Sequence, residues 1–267
     1  MTDGHSSEVL PESASKPRWF SWHGPRLRIL PILLVIALGF AIVAASFIAA
    51  RAILLHLDGS LVPRVWPLLI VAEIFELLLA LLGITVARRW LPRADFATRW
   101  PRGRTFVGQA MAWGFAFGLV MLFSDHGAHL VRGLAPASPA HTAIDIAGWL
   151  AFELLLVGIS EETLFRGFLL GVLEALSSSR VRFGSFSIST AGITIAVLFA
   201  LAHANNFATD PWPVALGQQI YALVLGILYV WLRERSGSLL APILTHSVSD
   251  FIETGVVFVL AAMLPHA

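Results

Sequence analysis

The sequence predicts an all-α fold, a polytopic transmembrane helix bundle of about seven spans, and three observations carry that expectation. Hydrophobic residues fill 57% of the 267 positions and charged residues only 13%, whereas soluble domains are nearer half apolar and a quarter charged. The apolar residues gather into runs of about 20, long enough to cross a hydrocarbon core of ~30 Å. Every Lys and Arg except Arg166 falls outside those runs.

The runs are 29–50, 65–87, 105–124, 143–172, 188–205, 214–232 and 238–263. A polar, Ser/Pro-rich tail over 1–28 precedes them, carrying Lys16, Arg18, Arg26 and Arg28; such a tail is expected to be unstructured. The run 29–50 is too long for a signal-peptide core and reads as an uncleaved first span. Between the second and third runs lie Arg88, Arg89, Arg93, Arg99, Arg102 and Arg104, a loop expected to set topology and meet anionic headgroups. Trp22, Trp90, Trp100 and Trp212 stand near span ends, where indole rings anchor at the interface. The chain thus divides into a tail (1–28), N-terminal spans (29–124) and a core (143–263).

Charge placement sets an orientation. Fourteen of the 18 Lys and Arg lie in the tail and alternate loops, and only Arg51, Arg64 and Arg132 lie in the others. Cationic loops stay cytoplasmic, so the N-terminus is expected inside and the C-terminus outside, in a plasma (inner) membrane. The net charge of +1 argues against a nucleic-acid partner. The absence of cysteine excludes disulfides, thiolate nucleophiles and Cys-ligated zinc. Nothing in the sequence sets the oligomeric state.

Ionisable groups inside spans are costly unless paired or wetted, so each is a functional candidate. The fourth run contains Ser160-Glu161-Glu162-Thr163-Leu164-Phe165-Arg166. Glu162 and Arg166 are i,i+4 and share a face, so they can pair. Glu161 is rotated by ~100° and faces elsewhere. The fifth run ends with Phe199 one turn before His203, and the seventh holds His246 and Asp250 at i,i+4, with Glu253 a turn further on. Singly, Glu161, His203 or His246 reads as packing or an interhelical hydrogen bond. Together they supply a carboxylate to deprotonate water, an imidazole to hold it and polar groups to steady an oxyanion. Glu73 and Glu76, at i,i+3 in the second run, either line a cavity or meet an Arg. Asp125, His126 and His129 read as polarity in a loop at a span end.

The order Glu-Glu-x-x-x-Arg, Phe-x-x-x-His, His-x-x-x-Asp on successive hydrophobic segments resembles the CPBP family, the CAAX proteases and bacteriocin-processing enzymes also called Abi. The resemblance covers roughly 143–255 and includes the approach Ser236-Gly237-Ser238-Leu239-Leu240-Ala241-Pro242 to the last motif. It implies an intramembrane endopeptidase acting on a membrane-embedded or lipidated protein or peptide. Glu161 then activates water with His203, His246 and Asp250 support the oxyanion, Phe199 supports the motif, and Glu162–Arg166 is a structural ion pair. Asp250 stands where many relatives have Asn, which favours pairing with His246 or a metal. The resemblance leaves two chemistries open, a metal-free glutamate mechanism and a divalent metal such as Zn²⁺ on Glu161, His203 and His246. The His-Glu-x-x-His signature is absent. The alternatives are a non-enzymatic scaffold or immunity protein and, less favoured, a transporter.

Counting from span starts raises one difficulty. Glu161 and His246 fall in the cytoplasmic half, whereas His203 lies ~22 Å along its helix. Their meeting requires tilt, a later helix start or a buried loop after Asn205.

Overall fold

The structure, a computed structural model, describes residues 20–23, 28–177 and 179–265. Seven helices in it are long and apolar enough to cross a membrane: α1 (Ile29–Asp58), α2 (Trp66–Trp90), α3 (Val107–Leu130), α4 (Ala143–Leu176), α5 (Thr190–Ala208, its last turn 3-10), α6 (Trp212–Ser236) and α7 (Leu240–Met263). Their outer faces carry exposed Leu33, Phe40, Ile48, Leu82, Phe123 and Leu155, a surface suited to lipid rather than water. The chain is an integral, multi-pass membrane protein.

Local chemistry explains where the helices begin and end. Pro67 and Pro213 sit in the first turns of α2 and α6, where a missing N–H costs nothing. Thr142 caps α4 by accepting the Asp145 amide at 3.2 Å, and Ser189 caps α5 by accepting that of Gly192 at 2.8 Å. Gly237, at φ +63°, ends α6 in the left-handed conformation that glycine adopts freely.

A small three-stranded sheet accompanies the helices: β1 (Phe20–His23), β2 (Arg180–Phe183) and β3 (Phe186–Ser189), antiparallel throughout. β1 corrects the expectation of an unstructured tail over those four residues; 1–19 and 24–27 lie outside the described residues. The pairing puts the start of α1 on the same side of the bundle as the α4–α5 connection, as the charge distribution also requires.

The Arg-rich loop between α2 and α3 is not simply a headgroup contact. Phe96 and Ala97 are buried, and the Ala97 carbonyl accepts the Leu239 amide at 3.0 Å. Arg99 makes two bonds to Asp95, at 2.8 and 2.7 Å, while Arg233 binds Glu174 at 2.5 Å and the Asp95 carbonyl. The loop therefore lies beneath the α6–α7 turn and buries Ser238 and Leu239.

Glycines bring α7 close to its neighbours. A Cβ on Gly114 would meet the Thr245 carbonyl at 2.9 Å, one on Gly118 the Ser249 carbonyl at 2.6 Å, and one on Gly158 the Ile243 carbonyl at 2.9 Å. Small residues let helix backbones approach where lipid offers no hydrophobic drive to association. α3 and α4 thus both lie against the segment of α7 that carries His246.

Candidate active site

Two π-helical stretches, Glu153–Val157 and Thr163–Leu169, bracket the short α-helical piece Gly158–Glu162 in α4. A π turn inserts a residue and re-aims the side chains after it, and such turns recur at functional sites. Glu161 and Glu162 both lie on the α-helical piece, rotated from one another by ~100°. Glu162 is fully buried, with Arg166 Nη1 donating to its Oε1 at 2.8 Å and neither side chain exposed. Glu161 faces open space.

Arg166 is held on every side. Its guanidinium lies 4.2 Å from the Phe199 ring centroid and 4.9 Å from that of Tyr229, distances at which cation–π attraction operates. Its Nη2 reaches the Gly226 carbonyl at 3.4 Å.

His246 sits at the junction. Its Nδ1 is 3.0 Å from Glu162 Oε1, and its Nε2 is 3.2 Å from Asp250 Oδ2 and 3.8 Å from Glu161 Oε2. Both nitrogens face carboxylate oxygens, so the ring is satisfied when both carry protons. Tyr229 stacks on it at 5.1 Å and 19°, and Phe199 meets it edge-on at 5.7 Å.

His203 is oriented differently. Its Nδ1 lies 2.9 Å from the Phe199 carbonyl, an oxygen that can only accept. That bond places the proton on Nδ1 and leaves the Nε2 lone pair free. Phe199 also contacts the imidazole at 5.2 Å, so one side chain touches both histidines.

Glu161, His203, His246 and Asp250 line one cavity of about 200 Å³, together with Tyr221, Tyr229 and Glu253. The depth difficulty resolves through element lengths. α4 ends at Leu176 rather than 172, which puts Glu161 near the middle of its 34 residues. α5 starts later, at Thr190, and the buried α6–α7 turn lowers His246 into the bundle.

Among the described residues no group of three His, Asp or Glu side chains forms a metal-holding cluster. The two nitrogens of His246 are directed to Glu162 and Asp250.

Compared with known protein families, residues 143–252 match the model described as type II CAAX prenyl endopeptidase Rce1-like. This stretch, somewhat under half of the chain, is similar to that family. The match coincides with the CPBP resemblance of the three motifs. No curated protein and no solved structure matches the chain.

Around the matched stretch, the structure corrects or decides several readings of sequence alone. Asp125 and His126 belong to α3 rather than a loop: Tyr221 donates to Asp125 at 2.8 Å, and His126 lies 4.0 Å from Glu253. Glu73 and Glu76 line a second cavity, of about 470 Å³, that also reaches Glu161 and His203. Ser160 joins Glu73 by a hydrogen bond. Glu153 was legible by the rule that singled out Glu161, being an acid within the same apolar run. Tyr229 had no such signal, since an aromatic at helical spacing reads as core.

Proposed function

We propose that the chain is an intramembrane endopeptidase that cleaves a membrane-borne protein or peptide by attack of a water activated by Glu161. The observation that carries this reading is the shared cavity of Glu161, His203, His246 and Asp250, within a segment matching a CAAX prenyl endopeptidase family.

Each group has a task its surroundings support. Glu161 removes a proton from the water as its oxygen attacks the scissile carbonyl carbon, then returns that proton to the departing amide nitrogen. His203 accepts the water's other hydrogen at Nε2, the nitrogen left free by the bond to Phe199. The developing oxyanion shares the Nε2–H of His246 with Asp250, whose Oδ2 at 3.2 Å holds that donor in place. One such donor in a dry site is worth ~2.7–4 kcal/mol. Glu162 and Arg166 hold the His246 ring from behind. This mechanism uses no metal. The catalytic core spans 143–263, the spans over 29–124 wall it, and the charge distribution supports a cytoplasmic N-terminus in a plasma membrane. The substrate class is a CAAX-type or other lipidated or membrane-embedded polypeptide.

The test is cleavage of a prenylated CAAX peptide and a membrane-proteome pool by purified wild type, Glu161→Gln and His203→Ala, with metal analysis of the same samples. Wild-type cleavage that is lost in both folded variants, and indifferent to chelator, is expected. Cleavage surviving in Glu161→Gln overturns the mechanism.

A further inference from the structure

The larger cavity beside the site is not used by the mechanism above. Of about 470 Å³, it is walled by Val43, Phe47, Leu69, Phe152 and Phe165, and lined also by Glu73 and Glu76 from α2 and by Glu161 and His203. Glu76 is only 4% exposed, and its Oε1 has no hydrogen-bond partner. Arg166, fully buried in the core, is committed to Glu162. A buried carboxylate oxygen without a partner is costly, and among the described residues no Lys or Arg lines the cavity.

From this we infer that the cavity is a specificity pocket for a cationic side chain, Lys or Arg, of a residue flanking the scissile bond. The inference rests on the endopeptidase reading. Apolar walls suit the aliphatic stem of Lys or Arg, and the acids suit its charged head. Because the cavity shares Glu161 and His203 with the catalytic one, a side chain seated in it places its own peptide group beside the attacking water. A purely apolar occupant, such as a prenyl chain, would cover Glu76 without giving its Oε1 a partner, which is unfavourable.

The test uses a library of lipid-anchored peptides, randomised across the cleaved segment and read by mass spectrometry. Wild type should enrich Lys and Arg at one position by roughly 10- to 100-fold, the range of a charge-assisted hydrogen bond. Glu73→Gln/Glu76→Gln should still cut neutral peptides while its enrichment falls below about 3-fold, leaving less than one such bond. Cleavage by wild type without basic preference, or with a preference unchanged in the double variant, overturns the pocket, as does a preference following the lipid alone. Should wild type cut nothing, the endopeptidase reading fails by itself. Thermal stabilisation by Ala-Lys-Ala amide against Ala-norleucine-Ala amide then decides the pocket. Stabilisation by the Lys peptide alone, lost in the double variant, upholds it, and any other pattern overturns it.

Discussion

Replacing Arg166 with Met removes the cation that neutralises Glu162 while keeping most of its volume. The pair is 2.8 Å apart with both side chains fully buried. Removing one partner of a buried pair costs ~3–5 kcal/mol, because the other charge stays behind. The lost contacts to Phe199 and Tyr229, at 4.2 and 4.9 Å, add about 0.5–2 kcal/mol. Against this, His246 Nδ1 remains 3.0 Å from Glu162 and keeps it partly paired. Arg166→Met should therefore destabilise by ~3 kcal/mol, the low end of the range. The double variant Glu162→Gln/Arg166→Met leaves no uncompensated charge and should return to within about 1–2 kcal/mol of wild type. Reversible unfolding in mixed detergent micelles measures all four proteins in one cycle. An Arg166→Met as stable as wild type, or single-variant losses that simply add in the double, would refute the account of a mutually dependent buried pair. Cleavage by the folded double variant then separates support of His246 from a direct part in chemistry.

Three further outcomes follow from the geometry. Gly158→Ala places a Cβ 2.9 Å from the Ile243 carbonyl and 3.0 Å from the Ser247 amide, so α4 and α7 must separate; a loss of ~1–3 kcal/mol and lower kcat are expected, read by thermal unfolding and cleavage assay. Asp250→Asn keeps an oxygen to accept from His246 Nε2 and should retain activity, whereas Asp250→Leu should lose at least ~100-fold in kcat, the scale of one misplaced oxyanion donor. In the α2–α3 loop, burial pushes the Asp95 carboxyl up, but hydrogen bonds from Arg99 and the Ala97 amide, with the charge of Arg233, hold it below the ordinary value of 3.8. A depressed carboxylate stabilises the fold above that value and loses the contribution as pH falls through its own lower one. Acid unfolding should thus begin below about pH 4 with a step absent in Asp95→Asn; identical acid profiles would remove Asp95 from the account.

Much of this protein was legible from one sequence because hydropathy and motif spacing are local properties. All seven runs became helices, most within four residues of their expected limits; α1 continues through Arg51 and His56 to Asp58, and α3 through Asp125 and His126 to Leu130. Glu162 and Arg166 pair because four residues of helix bring any such pair together, and His246 meets Asp250 for the same reason. The order of the three motifs sufficed to name a family.

Other features depend on distances between helices, and no local pattern encodes those. That Glu161 shares a cavity with His203 and His246 depends on where α5 packs and on Gly158 admitting α7. Glu73, Glu76 and Asp125 reach the site because α2 and α3 pack where they do, although in sequence Glu73 is 88 residues from Glu161. The Arg-rich loop is tucked under α7 by Asp95, Phe96 and Ala97, and β1 is drawn from the tail by a hairpin some 160 residues away. By itself the sequence determined a membrane bundle, its spans, its charge asymmetry and the residues able to do hydrolytic chemistry. Only the tertiary structure decided which of those residues share a cavity, because that follows from helix length, register and close approach summed over the whole chain.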